Sequence, residues 1–429
     1  MSAYFFADCK EVIMNTTIFE NIESNVRSYC RSFPTVFVKA KGAVMTDENG
    51  KDYIDFFAGA GALNYGHNPD LMIERAIRYL QEGGILHSMD MYTPAKREFL
   101  EYFQEKILAP RGLDYRIQFA GPTGTNAVEA AIKLARMNKG RENIFAFMGA
   151  FHGMTFGSLA LTTDRCSRDA AGQSLPNVTH IPAPYMFPGF DTIAYMETLL
   201  TDDHSGVEKP AAIILETVQA DGGIYVFDAQ WLRDLRDLCD RHDILLIVDD
   251  VQVGNGRTGT FFSFERANIV PDMVTLSKSI GGCGFPLSMV LFKPELDKWV
   301  PGQHTGTFRG NQLSLIAGKA GLEMFVEGKI EEEAKRKAKI FDDFLKNEIL
   351  PMDSRLSYRG IGMIWGLDFA KFDEDMTKPL IAACFKNGLI LERVGRDNNG
   401  LKLMPPVIIP DDLLLEGLNI LKKSLAEIL

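Results

Sequence analysis

The sequence contains no CxxC pair. Its six cysteines, Cys9, Cys30, Cys166, Cys239, Cys283 and Cys384, are scattered. Neither a zinc cluster nor a disulfide framework is expected, and no metal site is predicted. Long apolar runs are missing too, so no membrane span is expected. There is no basic block, and the formal net charge is −11. That speaks against a nucleic-acid-binding surface. No GxGxxG follows a first strand, which sets aside a dinucleotide-binding dehydrogenase. The N-terminus lacks a basic stretch followed by an apolar one, so a cytoplasmic protein with reduced thiols is expected. Residues 1–13 are poorly patterned, and Met14 is a second candidate start.

What is present is an ordinary globular balance, with 46% apolar and 24% charged residues in a chain of 429. That length suits two or three lobes. The middle alternates short apolar strands with amphipathic helices. Strand candidates are Arg116–Ala120, Asn143–Met148, Ala211–Val218, Ile244–Asp249, Met273–Ser277 and Pro286–Phe292. Trp231, Leu232, Leu235, Leu238 and Cys239 recur at helical spacing, with Asp228 as N-cap. This alternation predicts an α/β fold with a mostly parallel sheet covered on both faces. In such sheets ligands bind beyond the carboxyl ends of the strands. Near the N-terminus, Gly42 and Asn49-Gly50 suggest a hairpin within residues 39–56. Residues 316–350 read as helical, and Pro410-Asp411-Asp412 opens an amphipathic helix. The boundaries drawn are 1–60, an N-terminal segment joining a small domain; 61–315, a large domain; and 316–429, the rest of the small domain.

Four segments at strand ends carry chemistry. Gly121–Ala131 follows a strand and opens a helix, where small residues such as Gly124 and Thr125 offer free N–H groups to a phosphate. The helix dipole contributes only ~0.3–2 kcal/mol, so a ligand retained there needs a further anchor. Phe151-His152-Gly153 places a ring where it can stack on a flat ligand. Asp249-Asp250-Val251-Gln252 ends a buried strand. An unpaired carboxylate there is costly and asks for a cation such as a protonated pyridine nitrogen. Lys278 follows the run Thr275-Leu276-Ser277 and precedes Gly281-Gly282, a tight place where its neutral form is accessible. Singly, each also fits a bland reading: a capped helix, a core aromatic, a turn-capping acid, a strand-end lysine. Together they follow the order phosphate turn, stacking ring, acid, lysine. That order suits pyridoxal 5′-phosphate, whose ring nitrogen an aspartate keeps protonated.

With these segments the chain resembles the class III (ω-amino acid) aminotransferases over nearly its whole length. Thr123–Ala131, the FHG triplet, Glu216–Gly223 (ETVQADGG), VDDVQ…GRTG and His304–Asn311 (HTGTFRGN) carry the likeness. The resemblance implies the pyridoxal-phosphate fold type I, with a seven-stranded sheet in the large domain and an α+β small domain from both chain ends. It implies that Lys278 holds the cofactor covalently and Asp249 pairs with its ring nitrogen. Val251 and Phe151 would enclose the ring, with His152 beside it. Gln252 would reach the ring oxygen, and Gly124 and Thr125 the phosphate. Thr307 would complete the phosphate site of a neighbouring subunit, making a homodimer or a dimer of dimers. Glu216, Asp221 and Lys402 would face the substrates, a small amino donor and a 2-oxo acid. Within the class, Val26–Pro34 (VRSYCRSFP), Gly256–Glu265 (GRTGTFFSFE) and Gly306–Gln312 (GTFRGNQ) resemble the diaminobutyrate–2-oxoglutarate branch. That branch moves the 4-amino group of L-2,4-diaminobutyrate to 2-oxoglutarate, or the reverse, and serves ectoine or siderophore synthesis. Ornithine- or 4-aminobutyrate-type exchange, or an aminomutase or epimerase, would use the same cofactor motifs. Three departures stand out: Lys402 where many members have Arg, Asp221 where many have Glu, and Arg309 at a usual glycine.

Overall fold

The computed structural model describes residues 16–429. The readings of residues 1–13, Met14 and Cys9 lie outside them. The five remaining cysteines are unpaired. Among the described residues, no helix is long and apolar enough to cross a membrane.

The N-terminal hairpins are β1 (Phe37–Lys41), β2 (Val44–Asp47) and β3 (Asp52–Asp55). Gly42 turns the first and Asn49-Gly50 the second. The large sheet then takes β4 (Arg116–Gly121), β5 (Ile144–Phe147), β6 (Val178–Ile181) and β7 (Ala212–Leu215). A two-residue ribbon follows, β8 (Val218–Gln219) with β9 (Tyr225–Val226). Returning to the large sheet, β10 is Leu245–Asp249, β11 Met273–Leu276 and β12 Ser288–Phe292. The order is β4-β12-β11-β10-β7-β5-β6. Only β12 runs against its neighbours. All six strands expected from the sequence are present, some trimmed at their ends. The seventh, β6, was not anticipated, because Thr179 and His180 break its apolar run.

Why this sheet is covered on both sides follows from strand alternation. Leu245 and Ile247 of β10 pack with Ala127, Ala131 and Leu134 of the helix Gly124–Lys139. Leu246 and Val248 instead join Leu232, Leu235 and Leu238 of the helix Ala229–Arg241. That helix starts where Asp228 accepts the backbone N–H groups of Gln230 and Trp231 at 2.8 and 3.1 Å. Every residue of β10 is therefore buried, and no strand-end acid can relax into solvent.

The C-terminal part forms β13 (Ser357–Ile361), β14 (Ile364–Asp368), β15 (Leu389–Ile390), β16 (Glu392–Val394) and β17 (Gly400–Leu403). Four of these make an antiparallel sheet in the order β13-β14-β17-β16. The short β15 pairs parallel with β3, Leu389 opposite Ile54. The two chain ends thus share one small sheet. The stretch read as helical over 316–350 holds two helices, Gln312–Glu327 and Ile330–Phe344, separated at Gly328 and Lys329. The last helix, Asp411–Ala426, begins after Pro410.

Candidate active site

The carboxyl ends of β4, β5, β10 and β11 open onto one cavity of about 140 Å3. Gly124, Thr125, Phe151, His152, Glu216, Asp221, Asp249, Val251, Gln252 and Lys278 all line it. The structure therefore brings together ten of the twelve residues singled out in the sequence. Lys402 touches the cavity through Asp221 and Gln252. Thr307 does not join it; this residue is exposed in the loop 301–311.

Lys278 follows β11 after a single residue, Ser277, and takes φ +55 in a turn running to Gly281. A non-glycine residue in that region costs roughly 1–2 kcal/mol, so surrounding packing must hold it there. Burial lowers its ammonium below the ordinary lysine range, against the opposing pull of Asp221. Burial thereby favours the neutral amine over the ammonium.

Asp249 ends β10. Its Oδ2 lies 2.7 Å from His152 Nδ1, and its Oδ1 accepts the Thr275 hydroxyl at 2.9 Å and Val251 N–H at 3.2 Å. These bonds aim one carboxylate into the cavity. Burial favours a neutral His152 ring, but Asp249 and Glu216 outweigh it and raise the pKa. Asp250 points the other way, as alternation requires. It accepts the backbone N–H of Ser263 at 2.9 Å and also the Ser263 hydroxyl. Burial pushes its carboxyl up to about 7.

The phosphate-type corner is the start of the helix Gly124–Lys139, capped by Thr123 and Asn126. A Cβ on Gly124 would stand 2.9 Å from Val251 Cγ1, so only glycine lets the helix end approach this wall. Glu216 accepts the N–H groups of Phe151 and Ala220 at 2.9 and 3.2 Å. Its carboxyl is lifted to about 7, by burial above all. Both oxygens thus hold backbone in place, whatever else the group faces.

At the rim, Lys402 of β17 is 1% exposed, with Nζ 2.7 Å from Asp221, 2.8 Å from Glu392 and 3.0 Å from Gln252 Oε1. Burial alone would lower its pKa; the two carboxylates reverse this and raise it. Lys402 and Lys278 in turn lower Asp221 against burial. Sequence reasoning missed Glu392, which faces Lys402 across the β16–β17 pair. Asn398-Asn399, running into Gly400 at the start of β17, is a hairpin signal that would have exposed the pairing. It also missed Tyr29, whose hydroxyl is pushed up to about 12 by burial and then by the charge of Glu392.

A buried amine, a buried carboxylate and a helix N-terminus around one cavity are the donor set that pyridoxal phosphate requires: a partner for its aldehyde, its ring nitrogen and its phosphate. Fold and site agree with the class: the chain belongs to the class-III aminotransferase family, whose model matches residues 27–425. It is 51% identical to the diaminobutyrate–2-oxoglutarate transaminase of Wolinella succinogenes, over 96% of each chain. It is 49% identical to the enzyme of the same name from Nocardia farcinica, over 96% of this chain and 94% of that one. Among solved structures, a Bacillus anthracis aminotransferase superposes with TM-score 0.85 at 25% identity, over 96% of this chain and 98% of the other.

Proposed function

We propose that this chain is a pyridoxal-phosphate-dependent transaminase. It exchanges the 4-amino group of L-2,4-diaminobutyrate with 2-oxoglutarate, giving L-aspartate 4-semialdehyde and L-glutamate, or runs in reverse. The observation that carries the chemistry is the meeting of Lys278, Asp249 and the Gly124 helix end in one cavity. Relatives about half identical over nearly the whole chain support the substrate pair.

In this reading Lys278 holds the cofactor through its ε-nitrogen. Asp249 keeps the ring nitrogen protonated, with His152 and Thr275 fixing its orientation. Gly124 and Thr125 bind the phosphate, Val251 and Phe151 enclose the ring, and Gln252 donates to its oxygen. Bound there, pyridoxal phosphate supplies a ring that accepts electrons from the substrate carbon bearing the transferred nitrogen. Lys278, whose amine lines the same cavity, would be the group that moves the proton to and from the substrate carbon. Its lowered pKa suits both roles. Glu216, Asp221 and Lys402 face the substrate side. Thr307 reaches the phosphate of a neighbouring subunit in a cytoplasmic homodimer, and ectoine-type or siderophore precursor supply fits the substrate pair.

A donor panel tests the reading. Diaminobutyrate, ornithine, 4-aminobutyrate and 1,3-diaminopropane are compared by kcat/KM with 2-oxoglutarate as acceptor. Diaminobutyrate is expected to lead by at least roughly tenfold. Faster turnover of ornithine or 4-aminobutyrate would overturn the substrate assignment. Turnover without any 2-oxo acid would point to an aminomutase.

A further inference from the structure

Asp221, the acid at the rim, stands on a strained turn. The turn joins β8 to β9, where Gln219 pairs with Tyr225. Inside it Gly223 has φ +119 and Ile224 φ +61. A β-branched residue keeps a positive φ only when its surroundings hold it there. Ile224 is fully buried, so packing does the holding. The packing comes from one row of the C-terminal sheet. Arg359 of β13 stands opposite Gly366 of β14, Gly366 opposite Lys402 of β17, and Lys402 opposite Glu392 of β16. Directly opposed residues share a face, so this row crosses all four strands on one side.

The turn lies along that row. At one end Arg359 Nε donates to the Gly223 carbonyl at 2.6 Å. In the middle Gly366 leaves room for Ile224, since a Cβ there would lie 2.9 Å from Ile224 Cγ1. At the other end Lys402 Nζ meets the Asp221 carboxylate at 2.7 Å. Gly395 N–H adds a bond to the Asp221 carbonyl at 2.9 Å. Arg359 is half-buried and held by two further contacts. Its Nη1 donates to Asp368 at 2.7 Å, and its Cζ lies 3.9 Å from the centre of the Tyr225 ring. That ring stacks on Tyr185 with centres 3.6 Å apart, and Tyr185 donates to Gln219 Oε1 at 2.6 Å. A Cβ on Gly223 would stand 3.0 Å from Arg359 Nη2 and 3.1 Å from Tyr225 Cε2. Guanidinium, ring and turn are thus fitted to one another on both strands of the ribbon.

We propose that Arg359 is a positioning residue for substrate choice: by fixing the turn 221–224 along this row, it holds the Asp221 carboxylate against Lys402. The proposal rests on the diaminobutyrate reading. Aspartate has a single methylene between backbone and carboxylate, so its charge sits where the turn puts it. Of the two carboxylates on Lys402, Asp221 is the one that lines the cavity. Glutamate brings a carboxylate on its reacting carbon, and diaminobutyrate does not. A fixed negative charge at Asp221 favours the incoming diamine and repels the carboxylate of glutamate. Its firmness therefore bears on the ratio of the two half-reactions rather than on the chemistry they share. Arg359 touches neither substrate in this scheme; it acts through Gly223, Tyr225 and Asp221.

Two measurements on the holoenzyme test this: stopped-flow half-reactions, and amide hydrogen exchange in peptides covering residues 219–226. Arg359→Ala is expected to lower the diaminobutyrate-to-glutamate ratio of kcat/KM roughly tenfold, chiefly through the diamine. Exchange in 219–226 should quicken by at least roughly tenfold, while peptides from β10 exchange as in wild type. Arg359→Lys keeps a cation and a donor, and should restore part of both. Tyr225→Leu removes the ring beneath the guanidinium and should shift the ratio the same way by about threefold. Tyr225→Phe keeps the ring and should leave the ratio as in wild type. A general loss of packing would lower both half-reactions alike. An unchanged ratio in Arg359→Ala, or unchanged exchange in 219–226, would overturn the proposal. If Arg359→Ala does not fold, the Tyr225 pair decides, and equal ratios in Tyr225→Leu and Tyr225→Phe would overturn it. A wild type that prefers ornithine to diaminobutyrate would overturn the functional reading alone, and the ornithine-to-glutamate ratio would then decide the role of Arg359.

Discussion

The floor of the cavity and its rim are built by different means. The floor consists of groups that end strands of one sheet: Asp249 after β10, Lys278 after β11, Gly124 after β4. Each is placed by the direction of its own strand. The rim is assembled from distant parts of the chain. Lys402 on β17 meets Asp221, 181 residues away, and the loop 395–398 leans against Tyr185. Floor groups are held by strand geometry and backbone bonds. Rim groups are held by charge, with Lys402 buried only because two carboxylates neutralise it. The floor is thus suited to chemistry common to every turnover, and the rim to interactions that change from one substrate to the next.

If that division holds, damage to the floor harms all substrates alike and damage to the rim harms them unequally. The largest effect is expected for Lys278→Ala, with turnover lower by at least roughly 1,000-fold for every donor. Borohydride reduction followed by peptide mapping should label Lys278; label on another lysine would remove it from the floor. Next comes Asp249→Asn, which should keep the fold and lose roughly 100-fold in kcat with either substrate. The neighbouring Asp250→Asn should lose little, because alternation turns that side chain toward Ser263. A dead Asp250→Asn beside an active Asp249→Asn would exchange the two assignments.

At the rim the expected effect is smaller and selective. A carboxylate on the reacting carbon, as in glutamate, needs a cation; diaminobutyrate has none there. Lys402→Ala should therefore lower kcat/KM roughly 10- to 100-fold in the glutamate half-reaction and much less with diaminobutyrate. Removing the lysine also leaves the half-buried Asp221 and Glu392 without their cation, and some loss of stability is expected as well. The stopped-flow ratio of the two half-reactions separates recognition from stability, since instability alone affects both. A ratio unchanged from wild type would remove Lys402 from substrate recognition.

The same division explains what could be read from the sequence. Strand ends announce themselves: Leu245–Val248 is an unbroken apolar run, and the acid after it has nowhere to go but the sheet's edge. The mostly parallel sheet followed from six such runs. The rim was legible only through resemblance, which pointed to Asp221 and Lys402 but not to Glu392. That partner depends on the register of a two-strand pair, and register is set by a turn whose meaning lies in Asn398-Asn399-Gly400 rather than in the strands. Tyr29 lies 363 residues before Glu392, and no periodicity links them. Thr307 stands exposed and away from this chain's cavity, where no strand end places it.

The smallest effect concerns the acid that the floor turns away. Asp250 is fully buried, and burial pushes its carboxyl up to about 7, well above the ordinary aspartate range. Its bonds from Ser263 and the repulsion from Asp249 oppose each other, and burial dominates. A folded pKa above the unfolded one means the folded chain holds this proton where the unfolded chain has lost it. The resulting stability is complete below about pH 4 and is lost as pH rises toward about 7. Asparagine cannot titrate, yet it still offers an oxygen to the Ser263 donors. Stability of wild type relative to Asp250→Asn should therefore fall between pH 4 and 7 and level off above, by at most roughly 4 kcal/mol in total. Comparing the two proteins at each pH cancels the parallel contribution of Glu216, which titrates in the same range. Urea midpoints at half-unit steps of pH provide the measurement. Parallel curves for the two proteins would mean that Asp250 is ionised in the fold at neutral pH, and that Ser263 alone stabilises its charge.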